Sequence, residues 1–394
     1  MSEKPFCVFP FVNQYISTQG WTSLCCDSTT HRDRKDWGKF DWHNSHLVAA
    51  RRMFGKGKWP KACERCKATE ESGGTSLRMN MNHKFHEWVD RYRNDPMDRP
   101  PPPVSFDIRL GNHCNLRCTM CDPESSDMIG KALTQYQKDT GRTWLENHPP
   151  SDIITERRAV DQVLANPEHV RCIQLSGGEP FIMPNALHII RTMVENGHAE
   201  HIDLHITTNG TVLKPQWVDE WFKHYRTVQM VLSIDATGER AEYVRYGHRW
   251  DTINRRIKAM NEACKPHDKT VWMSVTPTVH GATVSEIESV FRWSMESGLD
   301  MPEYHTVFTP QWMHPGRVPD SVKEPAVRFI DSLSTADQAY TQLDSVRNIM
   351  LNHVPDDPEQ ALKEQQEHIR FFNHTLPRRW RDAVPELAHW DPEP

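Results

Sequence analysis

The chain has 394 residues, with 47 Lys and Arg against 53 Asp and Glu, and a formal net charge of -6. Mean hydropathy is -0.71 and no run approaches eighteen apolar residues, which excludes a membrane-spanning helix. The acidic balance argues against nucleic acid held by an overall basic field, and the first residues lack the pattern of a secretory leader, so a cytoplasmic protein is expected. Ten cysteines in such a chain point to metal or redox chemistry, not to a disulfide scaffold.

Residues 1–98 form a small cysteine-bearing region, with a strand expected over 12–17 and a helix over 82–92. Four prolines at 100–103 favour the stiff polyproline conformation, and residues 99–103 are expected to be a linker. Beyond it, β-branched apolar runs predict strands at 104–110, 172–175, 202–207, 228–234, 271–279 and 303–308. Helices are expected between them at 185–196, 216–223, 252–263 and 283–297. Strand–helix alternation over 104–319 means a parallel sheet, open or curled into a barrel. Residues 320–394 read as a helical C-terminal extension, with 359–372 its clearest helix.

The first strand of this region runs into Cys114, Cys118 and Cys121, spaced C-x3-C-x2-C on a loop. Three thiolates can hold three corners of an iron–sulfur cube and leave its fourth iron open to a ligand. The alternative is a zinc site completed by His113 or a distant residue. The second strand ends in Gly177, Gly178, Glu179 and Pro180. Paired glycines let a ligand approach the backbone, and the carboxylate can accept hydrogen bonds from an ammonium group. Alone, this would read as an ordinary tight turn.

With these motifs in this order, residues 104–310 resemble the radical S-adenosylmethionine (radical SAM) enzymes. Two further motifs match: Asn209, in Thr-Thr-Asn-Gly at the third strand end, and Ser233 with Asp235 at the fourth, followed by Arg245. The resemblance implies an α/β fold, a partial (β/α)6 barrel, with a 4Fe–4S cluster on Cys114, Cys118 and Cys121. It also implies S-adenosylmethionine bound by the Gly177–Pro180 turn, Asn209, Ser233, Asp235 and Arg245. Asp235 is read as a partner of the ribose and Arg245 of the cofactor carboxylate. Met120 stands where the family often carries an aromatic residue near the adenine.

Cys7 precedes Gly20 and Cys25 in the order C-x12-G-x4-C, and Cys63 and Cys66 follow as C-x2-C. Two sulfur pairs by themselves suit a zinc ribbon. Beside the barrel motifs they resemble the first half of a SPASM domain, the shortened twitch form, here preceding the barrel instead of following it. That implies a second, auxiliary 4Fe–4S cluster on Cys7, Cys25, Cys63 and Cys66. The neighbouring Cys26 competes with Cys25 for that role. Cys172 and Cys264 are expected to be core residues without chemistry.

The expected function is reductive cleavage of S-adenosylmethionine to a 5′-deoxyadenosyl radical that takes hydrogen from a substrate. The resemblance favours a peptide or protein side chain, with flavodoxin or ferredoxin as electron donor. A small molecule or tRNA is the alternative within enzymes, and a non-catalytic zinc scaffold or electron carrier the alternative outside them. The basic and aromatic stretch 371–382 is expected to be a helix docked on the barrel.

Overall fold

The computed structural model describes residues 4–28, 38–71, 75–143, 145, 150–300, 302–308, 310–333, 338–352 and 357–393. It divides into two compact units. The first comprises Met1–Asn112, Ser151–Ile206 and His224–Thr227, and the second His113–Pro150, Thr207–Lys223 and Val228–Pro394.

The strands of the first unit are β1 (Asn13–Ile16), β2 (Thr22–Ser23), β3 (Ser105–Arg109), β4 (Cys172–Ser176) and, through Ile206, β5 (Asp203–Thr208). They lie in the order β2-β1-β3-β4-β5, with β1 and β2 antiparallel and the other pairs parallel. Side chains alternate across a strand, so the register sorts them into two faces. Phe106 and Ile108 align with Ile173 and Leu175, then with Leu204 and Ile206, and all six are at most 3% exposed. The opposite face carries Tyr15, Asp107, Gln174 and His205 in one register row. A parallel sheet is ordinarily apolar on both faces; this one has a polar side.

The expected linker is part of this unit. β1 and β3 pair side by side across the prolines, and Val104 N–H donates to the Val12 carbonyl at 2.9 Å. Trp42 Nε1 donates to the carbonyl of Pro101 at 2.8 Å and Arg51 Nη1 to that of Asp98 at 3.2 Å. Proline lacks an N–H but keeps its carbonyl, and here that carbonyl fastens the segment down. The helix expected over 82–92 is two helices, Leu77–Lys84 and His86–Asn94, broken at Phe85. The Phe85 backbone is non-helical (φ -106°, ψ 34°), and its buried ring lies 5.9 Å from Phe9 and 5.8 Å from Trp88. Ser45–Gly55, Asp127–Thr140 and Ile153–Leu164 are helices that the sequence reading passed over.

In the second unit β6 (Thr227–Leu232) pairs in parallel with β7 (Val271–Val275), and β8 (Thr278–Val279) with β9 (His305–Thr306). Helices Trp250–Cys264, Ile287–Glu296, Asp320–Ser332, Gln338–Asn352 and Pro358–Thr375 complete it. The C-terminal helices are no loose extension: Phe371, Phe372 and Trp380 share one buried core with Tyr136 and Tyr243. The basic residues of that stretch are neutralised, Arg378 by Glu239 at 2.9 Å and Arg381 by Asp391 at 3.1 Å. The described residues thus form an α/β fold with mostly parallel strands, and none of their helices is long and apolar enough to cross a membrane.

Candidate active site

The loop bearing Cys114, Cys118 and Cys121 lies in the second unit and is fixed from several sides. Asp127 accepts a hydrogen bond from the Cys114 N–H at 3.0 Å, and Lys131 contacts the same carboxylate at 2.8 Å. Asn209 Nδ2 donates to Asn115 at 3.0 Å and approaches Cys114 Sγ at 3.9 Å. Its Oδ1 accepts from both the N–H and hydroxyl of Thr211. The residue at the third strand end is therefore a brace for the cysteine loop. His113 is exposed and lies 3.4 Å from Asp127.

Arg117–Cys118 and Arg245–Tyr246 form a two-residue antiparallel ladder with Cys118 opposite Arg245. Gly247 makes this possible. Its φ is +103°, and a Cβ there would stand 2.9 Å from Leu116 and 3.1 Å from the Asn115 carbonyl oxygen. Arg245 donates to Cys118 Sγ at 3.8 Å and grips Asp235 with two nitrogens, at 2.6 and 2.9 Å. The second Asp235 oxygen also accepts the Thr278 N–H at 2.8 Å. The expected ribose partner and the expected carboxylate partner are thus paired with each other. Ser233 donates its backbone N–H to the Thr208 carbonyl at 2.8 Å.

Electrostatics separate the three thiols. A hydrogen bond with Cys121 pulls the Cys118 thiol down against burial, with Arg245 assisting, while Cys121 is pushed well up by the same bond and by burial. Burial works against the charge on Arg245, and Asp235 and Cys118 more than offset it. Met120 and Cys121 open on a cavity of about 630 Å³, lined also by Leu145, Trp312 and His368.

Two histidines that the sequence gave no reason to single out border this ion pair. His248, 2% exposed, has no hydrogen-bond partner on either ring nitrogen, and burial with the Arg245 charge holds it neutral, down to about 3. His280 is fully buried and its Nδ1 accepts the Ala282 N–H at 3.3 Å, which leaves the proton on an unpartnered Nε2. Their sequence positions carry no spacing motif; His248 follows Arg245 by three residues and donates its backbone N–H to the Arg245 carbonyl at 2.9 Å, whereas only the fold brings His280 beside the pair.

The Gly177–Pro180 turn lies in the first unit. Gly177 and Gly178 have φ of +79° and +42°. A Cβ on Gly177 would stand 2.8 Å from the Arg109 side chain and 3.1 Å from the Gly111 carbonyl oxygen, so no other residue fits without displacement. Glu179 is fully buried, and its carboxylate accepts the Phe181 N–H at 3.0 Å, capping the turn that follows.

Cys7, Cys25, Cys63 and Cys66 line one apolar cavity of the first unit, with Phe9, Leu24, Phe54, Trp59 and Leu77. None is in a disulfide. Burial pushes every one of these thiols up, Cys63 to about 12, and neighbouring thiols add to the shift at Cys7, Cys25 and Cys63. Backbone N–H groups of Phe9, Asp27 and Arg78 donate to Cys7, Cys25 and Cys66. Four sulfurs on one apolar cavity, three of them facing backbone N–H donors, fit a thiolate-ligated metal–sulfide core. Cys26 points elsewhere, toward Asp107 and Arg109. Among the described residues no three His, Cys, Asp or Glu converge as a single metal ion requires. Ligands of a cube bind separate irons and need no common point.

Residues 108–294 match the profile of the Radical SAM superfamily. Two curated proteins, each a GTP 3′,8-cyclase, are similar. The one from Rhodopirellula baltica is 24% identical over 199 residues, covering 50% of this chain and 48% of its own. The one from Rhizobium etli is 22% identical over 203 residues, covering 51% of each. The chain spans about half the length of these relatives. Among solved structures, Streptococcus suis SuiB bound to S-adenosylmethionine has a TM-score of 0.38 and 14% identity, covering 77% of this chain and 64% of its own. Native anSMEcpe with bound AdoMet has 0.37 and 16%, covering 59% of each. The two structural likenesses are too low to bear on function. The profile match carries the assignment: residues 108–294 are a radical SAM domain.

Proposed function

We propose that this chain is a radical SAM enzyme that cleaves S-adenosylmethionine reductively and acts on a peptide or protein side chain. The observation that carries the reading is the buried cysteine loop with Arg245 held against Cys118, inside the matched segment. When bound, a reduced 4Fe–4S cluster with S-adenosylmethionine supplies a 5′-deoxyadenosyl radical, with methionine as the other product.

Cys114, Cys118 and Cys121 would hold that cluster. Arg245 acts at the Cys118 sulfur, where a cation stabilises thiolate. Asp235 keeps the guanidinium charged and oriented. The unpartnered nitrogens of His248 and His280 supply hydrogen-bonding groups to a polar cofactor beside this ion pair. Met120 offers its thioether to a ring. In the first unit, Gly177 and Gly178 admit a ligand close to the backbone. Cys7, Cys25, Cys63 and Cys66 would hold an auxiliary 4Fe–4S cluster of the twitch kind, and an electron donor such as flavodoxin or ferredoxin would serve the enzyme.

A small-molecule substrate is the second reading. It is favoured by the curated relatives, whose name gives GTP as what they act on. The test of the shared claim is a dithionite-driven assay for 5′-deoxyadenosine on anaerobically reconstituted protein. Product from the wild type supports it, and no product from a fully iron-loaded wild type defeats it. Incubation with peptide pools and with nucleoside triphosphates then separates the two substrate classes.

A further inference from the structure

In the second unit, the cavity of about 630 Å³ beside Met120 and Cys121 is charged with one sign only. Its apolar wall is Met120, Leu145, Trp312, Met313 and Ala361, and its rim carries Asp122, Asp357 and Glu364. Among the described residues that line it there is no lysine or arginine. His368 adds no charge, because burial holds it neutral, down to about 3. The three carboxylates are steered by hydrogen bonds alone. Asp122 accepts the Ser125 N–H at 2.8 Å, Asp357 the Gln360 N–H at 2.9 Å, and Glu364 the Gln360 side-chain amide at 2.8 Å. Glu367, one turn beyond Glu364, is instead neutralised by Arg142 and Arg370 at 2.9 and 2.6 Å. Arg142 and Lys363 border Glu364 in a separate hollow. The wall carries an unpaired donor as well: Trp312 is 1% exposed, and its Nε1–H has no hydrogen-bond partner. A buried N–H is ordinarily paired, so this one points to an acceptor on a bound molecule. Among the described residues the carboxylates do not converge as a metal ion requires, which favours an organic cation.

We propose that this cavity binds the substrate and selects a basic side chain of a peptide. The inference rests on the peptide reading above and narrows it. A lysine or arginine side chain joins an apolar stem to a charged end. The stem lies on Met313 and on the Trp312 ring, whose face attracts a cation. The charged end reaches Asp122, Asp357 and Glu364, and a main-chain carbonyl accepts the Trp312 Nε1–H. Cys121, in the same lining, sets the bound residue beside the proposed cluster loop. A nucleoside triphosphate meets the opposite situation, since its phosphates and these carboxylates repel each other.

The test uses the full chain, reconstituted without oxygen, as wild type, as the double variant Asp122→Asn, Glu364→Gln, and as Trp312→Phe. The probes are an N-acetylated, C-amidated alanine pentapeptide with lysine or norleucine at its centre, n-pentylamine, and magnesium GTP. Dissociation constants are read by ligand-observed NMR titration, first without and then with saturating S-adenosylmethionine. The wild type should bind the lysine peptide about fivefold tighter than the norleucine peptide. The double variant should shrink that preference to about twofold or less and leave the norleucine affinity unchanged. Trp312→Phe should weaken both peptides by about threefold or more and keep their ratio. Equal wild-type affinity for the two peptides, or an undiminished preference in the double variant, overturns the proposal. Tighter binding of pentylamine or magnesium GTP than of the lysine peptide also overturns it. Displacement of the lysine peptide by S-adenosylmethionine would give the cavity to the cofactor and overturn it too. The titrations need no radical, so they separate from the 5′-deoxyadenosine assay. Cleavage without a lysine preference leaves the radical reading standing and overturns this inference. A lysine preference in fully iron-loaded wild type that makes no 5′-deoxyadenosine overturns the radical reading, and with it the claim that the bound peptide is a substrate.

Discussion

Cys114, Cys118 and Cys121 come from one short loop, whereas Cys7, Cys25, Cys63 and Cys66 are gathered from three separate segments. At the loop, a hydrogen bond with Cys121 and then the Arg245 charge pull Cys118 down while Cys121 is pushed up, and Asp235 holds the arginine in place. The gathered thiols have apolar walls and backbone N–H donors, and all of them are pushed up. A site meant to exchange ligands and electrons needs an electrostatic partner at the metal-binding group. A closed site can rely on burial and ligand count. Under the function proposed above, this contrast suits a reactive cluster at the loop and a supporting one at the cavity.

Removing a sulfur from each site should separate them most sharply. Cys118→Ala should abolish 5′-deoxyadenosine formation altogether. Cys66→Ala should remove about half the iron and leave the loop cluster in place, as read by iron analysis and the visible spectrum. If both variants keep full iron and cleavage, neither ligand set is right.

The ion pair at the loop comes next. Asp235→Asn leaves the buried Arg245 charge without its counter-ion, a change that costs about 3–5 kcal/mol. Denaturant unfolding of the variant should show that loss, and a change under about 1 kcal/mol would mean that water reaches the pair.

Asp107 gives a pH signature. Its carboxyl is raised from 3.8 to about 6 in the folded chain, so the native state holds the proton where the unfolded state has released it. Stability must therefore fall as pH rises from about 4 to about 6, by about 3 kcal/mol at full effect, and stay level above. Asp107→Asn should lack that component. Matching pH profiles for the two proteins would contradict the burial argument. The smallest effect is at the glycine turn: Gly177→Ala, with positive φ and a contact of 2.8 Å to relieve, should cost about 1–3 kcal/mol in unfolding free energy.

The elements after the prolines were legible because each strand is a short β-branched run between turn residues, and β3, β4, β5, β6 and β7 lie within a few residues of expectation. The 303–308 run shrinks to His305–Thr306. What the sequence hid was long-range: that β1 pairs with β3 across four prolines, and that Phe85 breaks a helix to bury its ring. The cysteine motifs were visible as spacings. Which of Cys25 and Cys26 faces the cavity was not, since adjacent residues differ only in the direction the fold gives them. Arg245 and Asp235 were found by motif, but their mutual grip depends on a two-residue ladder and a glycine at 247 that periodicity does not reveal.

The most direct test of the account is a count of iron and sulfide per chain after anaerobic reconstitution, with zinc measured in the same sample. Two clusters predict about eight irons and eight sulfides with little zinc. About four irons would leave the loop cluster alone and return the gathered thiols to a structural role. Zinc without iron or sulfide would contradict the account outright.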